Sequence, residues 1–190
     1  MRISAALRCT VLIVVLQSCD IFQTRDTQPP SQGTSCNKPA TDHSVVHDNL
    51  MCALSESNVE NYIKCFVDTN YHPYIYESSA DVQQSFLQWN LESEQRSFQN
   101  MTASLSGTAS LTDSLYNKVV TPGSPSSAVY FLNYSLFVPH QDSRAPKFVR
   151  GSMELYMIED SLHRWSIYRW VDKKTTNDST WSYLKAWFNR

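Results

Sequence analysis

Several features that would simplify a functional assignment are absent from this sequence of 190 residues. No apolar run reaches the roughly 20 residues that cross a bilayer, since the one candidate run has about eight and ends at Leu16. Basic residues are not in excess, with 16 Lys and Arg against 18 Asp and Glu, so a nucleic-acid-binding face is not expected. No CxxC pair or Cys/His spacing typical of zinc sites is present, and no catalytic motif stands out.

The first 18 residues have the composition of a secretory signal. Arg2 and Arg8 give a positive start, and the short apolar core follows. A charged start, a short apolar core and a small residue before the cleavage point are typical of exported proteins. We therefore predict that residues 1–18 are a signal peptide. Its removal would lower the formal net charge from −2 to −4.

The segment Leu16-Gln17-Ser18-Cys19 resembles the lipobox of bacterial lipoproteins, which has an aliphatic residue and then a small residue before the cysteine. The resemblance implies cleavage before Cys19 and acylation of its thiol and amine with fatty acids such as palmitate. Two or more acyl chains hold a protein stably, because each buried methylene contributes about 0.8 kcal/mol. We predict a lipid-anchored protein on the extracytoplasmic side of the cell envelope. A secreted protein cut near Ser18, with Cys19 incidental, is the alternative.

Residues 19–42 join the anchor to the rest of the chain. The segment is rich in Gln, Thr, Ser, Pro and Asn and has little apolar surface to bury. Such a composition does not offset the entropy of ordering, so we predict a disordered tether. Its root-mean-square reach would be about 25 Å for a flexible chain. Residues 43–190 then form one domain.

Hydrophobic spacing in this domain predicts an α+β fold. Helical spacing covers residues 46–54, 59–66 and 90–101 and a last helix from near Ser179 or Thr180. Alternation of apolar and polar residues predicts strands over 71–76, 104–111, 127–139, 147–158 and 164–172. The last three strands are joined by connections too short for a crossover, so they are expected to be antiparallel neighbours.

Several segments of the domain specify a known arrangement. They are Asn49-Leu50-x-x-Ala53-Leu54, Asn58-Val59-Glu60-Asn61-Tyr62, Tyr71 to Tyr76, Trp165-Ser166-Ile167-Tyr168-Arg169-Trp170-Val171-Asp172 and Thr180-Trp181-Ser182-x-Leu184-Lys185. With them, residues 42–190 resemble the NTF2-like superfamily, which includes SnoaL-like and ketosteroid-isomerase-like proteins. The resemblance implies a cone in which a curved antiparallel sheet packs on helices. It is closest to bacterial lipoproteins of this fold that have no established activity.

Enzymes of this superfamily use an Asp, or a His with an Asp, as acid or base in the cone, where an apolar surround raises the pKa of the carboxyl. Glu154 is the strand acid that best fits this role. A four-residue loop over 160–163 would place Glu154 opposite Arg169, and a facing Arg keeps a Glu ionised. We therefore predict that Glu154 and Arg169 form a structural ion pair and assign no catalytic residue.

Tyrosines on the predicted strands are candidates for the lining of a partly polar cavity, because a buried Tyr needs a partner for its hydroxyl. They are Tyr74, Tyr76, Tyr130, Tyr134, Tyr156 and Tyr168. The alternative is that these side chains simply fill the cone.

Two further pairs of residues have a spacing that could fit a metal site or a disulfide. His43 and His47 have a spacing that can bind a metal, but no third ligand is evident, so we expect no metal site and no cofactor. Cys52 and Cys65 lie on consecutive predicted helices and could form a disulfide. With Cys36, however, three cysteines remain besides the anchor, which is an odd number, and a free Cys is often a small buried hydrophobe.

The sequence favours binding without turnover as the role of the domain. The expected partner, besides the membrane, is a small apolar ligand or a protein, and a homodimer is one form of the latter. The first alternative is a SnoaL-like isomerase, dehydratase or hydrolase that acts in the pocket of the cone. The second is a structural subunit that associates through its sheet.

Overall fold

The computed structural model describes residues 37–106 and 111–190. Within these ranges the helices are α1 (His43–Ser55), α2 (Val59–Ile63), α3 (Leu91–Ala103) and α4 (Trp181–Phe188), and a 3₁₀ helix covers Ala80–Phe86. The strands are β1 (Ile75–Glu77), β2 (Thr112–Ser124), β3 (Ser127–Phe137), β4 (Phe148–Glu159) and β5 (Trp165–Lys173). In the described ranges, no helix is both long enough and apolar enough to cross a membrane.

The N-terminal predictions concern residues that lie mostly outside these ranges. The signal peptide, the lipidation site Cys19 and residues 20–36 of the tether therefore stay predictions. The last part of the segment predicted as tether is described, and it contacts the domain. Asn49 Nδ2 donates to the Lys38 carbonyl at 2.8 Å, and the Trp165 amide donates to the Ala40 carbonyl at 2.7 Å.

The strands form one sheet in the order β1-β5-β4-β3-β2. β3, β4 and β5 are the predicted antiparallel neighbours, and the α+β class is confirmed. β2 covers residues for which no strand was predicted, and it pairs antiparallel with β3. The sheet is not purely antiparallel, however, because β1 pairs in parallel with β5 and places Ile75 beside Arg169. A parallel pair needs a long connection, and β1 and β5 are separated in the chain by α3 and three other strands.

Two predicted strands differ from the structure. The strand expected over 71–76 begins only at Ile75, because the Asp68 carbonyl accepts hydrogen bonds from the amides of Tyr71 and His72 and closes a turn. The strand expected over 104–111 lies partly outside the described residues. Within its described part, Leu105 forms an isolated bridge with His140.

Side-chain caps explain where the helices begin. The side chain of Asn58 accepts from the Asn61 amide at the start of α2. Asn90 caps α3 in the same way, and Thr180 caps α4. An oxygen at this position satisfies one of the amides that have no partner in the first turn of a helix.

The alternation predicted for the long strands is confirmed. The inward side chains of β3 and β4 are buried, and they join one hydrophobic core with the helices. The side chains that alternate with them form the other side of the sheet, which we call the outer face. Phe131, Phe137 and Phe148 are exposed there.

The predicted register between β4 and β5 is wrong. Glu154 lies opposite Val171, two positions away from Arg169. Two local features cause the shift: the loop has five residues, with His163 at a φ of 58°, and a bulge after Tyr156 adds one residue to β5. Glu154 consequently forms its ion pair with Lys173, and Arg169 forms one with Glu77 at 2.6 Å.

The cysteines of α1 and of the turn after α2 are not joined to each other. Cys65 is a buried free thiol, whose pKa is raised to about 12 by burial. Cys52 is disulfide-bonded, and its partner lies outside the described residues. Cys65 therefore takes the role of a small buried hydrophobe.

Candidate functional site

The six tyrosines proposed as a pocket lining fall into two groups. Tyr74, Tyr76, Tyr130 and Tyr134 are buried on the inner side of the sheet. Tyr156 and Tyr168 are half-buried, with ring centroids 6.2 Å apart, and the ring of Tyr156 stacks with the Arg169 guanidinium on the outer face. The structure thus brings four of the six side chains into the interior.

Glu94 on α3 is the first centre of a polar network in that interior, and only 1 % of its surface is exposed. Its carboxylate accepts hydrogen bonds from the Tyr62 hydroxyl at 2.6 Å and from the Tyr74 hydroxyl at 3.0 Å. Trp89 Nε1 donates a third, also at 3.0 Å. Burial and the nearby Glu94 charge raise the pKa of both tyrosines, so each hydroxyl keeps its proton and donates it.

Lys185 on α4 balances the charge of Glu94. Its Nζ lies 2.7 Å from Glu94 Oε1, at an angle outside that of a hydrogen bond, so the contact is an ion pair. The ammonium also lies 3.7 Å from the ring centre of Trp170 and 4.0 Å from that of Tyr76. Aromatic faces attract a desolvated cation. Burial lowers the pKa of Lys185, and Glu94 opposes that shift.

Asp172 at the end of β5 is the second centre. Its carboxylate accepts from the Tyr134 hydroxyl at 2.7 Å, from the Ser182 amide at 2.7 Å and from the Ser182 hydroxyl at 2.5 Å. Burial raises the pKa of Asp172, while the bonds from Ser182 and Tyr134 lower it. The Tyr134 ring crosses Gly151, where an added Cβ would lie 2.5 Å from the Tyr134 hydroxyl.

The two centres belong to one buried network. The Ser182 hydroxyl that donates to Asp172 also lies 2.9 Å from the Tyr76 hydroxyl. The ring of Tyr76 in turn contacts the Lys185 ammonium. A further bond of 2.7 Å links Ser79 and Thr180 beside them. Trp170 Nε1, by contrast, is buried and has no hydrogen-bond partner among the described residues. A buried polar network makes a core rigid and specific to the extent that its members are satisfied.

The interior around the network is filled. Tyr62 stacks on Phe98 at 4.0 Å, and Trp170 contacts Trp181 edge-on at 5.0 Å. Four of the clefts formed by the described residues have volumes of 310 to 560 Å³, and none is lined by Glu94, Lys185 or Asp172. Of the predicted pocket residues, only Tyr76 borders one of these clefts. The alternative in which tyrosines fill the cone fits this arrangement.

Comparison with known proteins gives a fold and no family. No family model matches the sequence, and no curated protein matches it. Solved structures do match. A candidate scytalone dehydratase from Novosphingobium aromaticivorans is 9 % identical with a TM-score of 0.55, over 70 % of this chain and 81 % of its own. An NTF2-like protein from Cytophaga hutchinsonii is 7 % identical with a TM-score of 0.51, over 67 % and 91 %.

A third structure, a candidate aromatic ring hydroxylase from the same Novosphingobium species, is 13 % identical with a TM-score of 0.53, over 74 % of this chain and 94 % of its own. The chain has an NTF2-like fold. At these identities the likeness concerns the fold alone, so the activity of the domain has to be argued from its own residues.

The network of this NTF2-like domain was missed by the sequence analysis. Glu94 precedes the inward Phe98 and Met101 of its helix by four and seven residues, a spacing that would have placed it on the buried face. Lys185 follows the buried Trp181 of α4 by four residues, a spacing that likewise places it on the buried face of its helix. Glu154, the acid that the analysis chose, lies instead on the outer face beside Lys173.

His43 and His47 contact an aromatic side chain. His43 Nδ1 lies 2.8 Å from the Tyr130 hydroxyl, and the His47 ring stacks on the Tyr130 ring at 5.4 Å. Burial lowers the pKa of His47, against the effect of Asp48. Among the described residues, no group of three His, Cys, Asp or Glu side chains is placed to hold a metal ion.

The outer face of the NTF2-like domain combines aromatic side chains with paired charges. Val119 is 58 % exposed, and it lies beside Phe131 in the register of β2 and β3. Phe137 and Phe148 face each other across β3 and β4. The ion pairs Glu154–Lys173 and Glu77–Arg169 lie on the same side of the sheet, so this surface has apolar area and charges of both signs.

Proposed function

We propose that this protein is an extracytoplasmic lipoprotein whose NTF2-like domain binds a second copy of itself through the outer face of its sheet, without catalysing a reaction. The observation that carries the proposal is the contrast between the two sides of the sheet. On the inner side, Glu94, Lys185 and Asp172 each have a partner and line none of the four clefts described above, whereas the outer face exposes Val119, Phe131, Phe137 and Phe148. Exposed apolar patches usually mark interaction sites.

The charges of the outer face support a second copy as the occupant. Two acids, Glu77 and Glu154, lie beside two bases, Arg169 and Lys173. A two-fold axis brings the same patch of both copies together, and a patch with equal numbers of acids and bases can then pair opposite charges. A strongly charged partner would favour a face with one sign of charge.

The membrane anchor in this proposal depends on the resemblance of residues 16–19 to a lipobox. Replacing Cys19 with Ser should release the protein from membranes into the soluble extracytoplasmic fraction. Mass spectrometry of the purified wild-type protein should find acyl groups on Cys19 as its first residue. An unmodified N-terminus elsewhere would contradict the anchor.

Light scattering coupled to size-exclusion chromatography tests the association. The Cys19→Ser protein should be a dimer, and the double substitution Val119→Lys with Phe131→Lys should make it a monomer. Leu87→Lys is the matched control, because Leu87 is 70 % exposed but lies after the 3₁₀ helix, away from the outer face. A wild-type monomer at all concentrations, or a double variant that stays dimeric, would contradict the proposed interface.

A SnoaL-like enzyme is the second candidate, and Asp172 is the observation that favours it. This carboxyl is buried and its pKa is raised by burial, as a general acid or base requires. Its three hydrogen bonds and the filled interior count against turnover. Differential scanning fluorimetry with small aromatic and steroid-like compounds tests it: stabilisation of the wild type that Asp172→Asn abolishes would favour an interior ligand site over our proposal.

A further inference from the structure

The chain enters the domain at one defined end of the sheet. Besides the bonds of Lys38 and Ala40 described above, the Lys38 amide donates to Asn49 Oδ1 at 3.1 Å. The Ala40 carbonyl is held by the amide of Trp165, the first residue of β5. The segment that leads to Cys19 therefore leaves the domain beside the loop between β4 and β5.

The two most exposed large apolar side chains at this end belong to neighbouring loops. Tyr71 is 86 % exposed and Leu162 is 67 % exposed. Both line a cleft of about 410 Å³. Leu162 also lines an adjoining cleft of about 560 Å³, whose wall includes residues 37–41. The point of chain entry and the two apolar side chains thus share one continuous surface.

The acids and bases on this surface are equal in number. The two clefts are lined by three acids and three bases, which are Asp68, Glu159, Asp160, Lys38, Lys64 and Arg164. Asp160 binds Arg164 at 2.7 Å, and Lys64 pairs with Glu60 at 2.6 Å. The net charge of the surface should therefore neither strongly oppose nor strongly drive contact with a lipid surface.

We propose that Tyr71 and Leu162 are the membrane-facing contacts of the domain and insert into the headgroup region of the bilayer that holds the anchor. This inference rests on the lipid anchor of the proposed function. Only 17 residues lie between Cys19 and Asn37, and a flexible chain of that length has a reach of about 23 Å. The anchor keeps the bilayer at a high effective concentration relative to the domain. A weak apolar contact is therefore enough to hold the surface of the domain on the membrane. Tyrosine is enriched at membrane interfaces because its ring is apolar and its hydroxyl is polar.

Fluorescence quenching on vesicles tests this contact. The purified lipidated protein, with Leu162→Cys carrying a thiol-reactive fluorophore, is bound to phosphatidylcholine vesicles that contain lipids with a nitroxide on the headgroup. Leu87→Cys is the matched control, because it has a similar exposure and follows the 3₁₀ helix, which lies near the opposite end of β5 through the Asp81–Lys174 pair. The unsubstituted protein gives the labelling background, to which the buried Cys65 should contribute little.

We expect quenching at position 162 to exceed that at position 87 by about threefold or more, since interfacial insertion reaches about 5–10 Å. Tyr71→Ser should weaken the quenching at position 162, and salt should change it little because acids and bases are equal in number on this surface. Protein that floats with the vesicles but is quenched equally at both positions would overturn the inference and leave the anchor intact. Protein that does not float would overturn the anchor and this inference together. Acrylamide quenching of the fluorophore at position 162 is also measured without vesicles. If the fluorophore is already protected from acrylamide there, another segment of this chain occupies the clefts, and the membrane contact is overturned.

Discussion

The two sides of the sheet each hold a Glu–Lys ion pair, and the pairs differ in almost everything except their chemistry. Glu94 and Lys185 are 1 % and 3 % exposed at their side chains, and Glu94 accepts three further hydrogen bonds. Glu154 and Lys173 are 14 % and 53 % exposed on the outer face. Breaking a buried pair leaves a charge without water, whereas breaking an exposed one leaves a charge that water can solvate. The same two residue types therefore form an ion pair that is required for stability in the interior and one that contributes little to stability on the surface.

Removing one lysine at a time gives the largest test of this contrast. Lys185→Met should lower the free energy of unfolding by about 3–5 kcal/mol, because it leaves the buried Glu94 carboxylate uncompensated. Lys173→Met, the matched control, should cost about 0.2–1 kcal/mol. Urea denaturation followed by circular dichroism measures both. Equal losses in the two variants would contradict the assigned difference in burial.

Glycines on the sheet provide the second test. Gly151→Ala should destabilise the domain by about 1–3 kcal/mol, as expected of an overpacked core, because the new Cβ would meet the Tyr134 hydroxyl at 2.5 Å and the Lys173 carbonyl at 2.6 Å. At Gly123 the nearest atom is the Ser127 hydroxyl, which can rotate away. Gly123→Ala should therefore change the midpoint of thermal unfolding far less than Gly151→Ala does. A Gly151→Ala protein as stable as the wild type would mean that Tyr134 does not cross the sheet as described.

The smallest expected effect is that Asp172 and Glu154 change the pH dependence of the free energy of unfolding in opposite directions. Burial raises the pKa of Asp172 above the 3.8 of an ordinary Asp, so its contribution to stability is full below pH 3.8 and is lost as the pH rises through the native pKa. Burial opposes a lowered pKa at Glu154, but the hydrogen bonds from Lys173 and Tyr156 outweigh it. The contribution of Glu154 is therefore present above pH 4.5 and is lost as the pH falls through its native pKa.

Substitutions should separate these two slopes. Asp172→Asn should make the free energy of unfolding rise more steeply with pH above about pH 3.8, by up to about 1.4 kcal/mol per pH unit for one proton. Glu154→Gln should flatten the slope below about pH 4.5. Urea titrations at several pH values measure both changes. Slopes that shift in the same direction in the two variants would contradict the opposite pKa shifts of Asp172 and Glu154.

Local sequence patterns were sufficient for most of the fold. The alternation in β3 and β4 assigned the inner side of the sheet, and Asn58, Asn90 and Thr180 marked the starts of their helices. The patterns failed where two distant segments meet. The parallel pairing of β1 with β5 depends on tertiary contacts that no local period encodes.

The buried network was harder to predict for a related reason. A charged residue at an inward helical position contradicts the hydrophobic period, and neither Glu94 nor Lys185 was assigned to the interior. Their compensation comes from tyrosines and tryptophans that are remote in sequence, such as Tyr62 and Trp170. The single-residue bulge in β5 likewise shifted the partners of Glu154 and Arg169, and one inserted residue carries no signal in composition.

The clasp between residues 38–40 and the body of the domain has a mechanical consequence. Asn49 of α1 and Trp165 of β5 both form hydrogen bonds with it, so it joins the first helix to the last strand of the sheet. A force that separates α1 from the sheet has to break these three hydrogen bonds as well as the apolar packing between them. Detachment of the helix and loss of the clasp should therefore occur together.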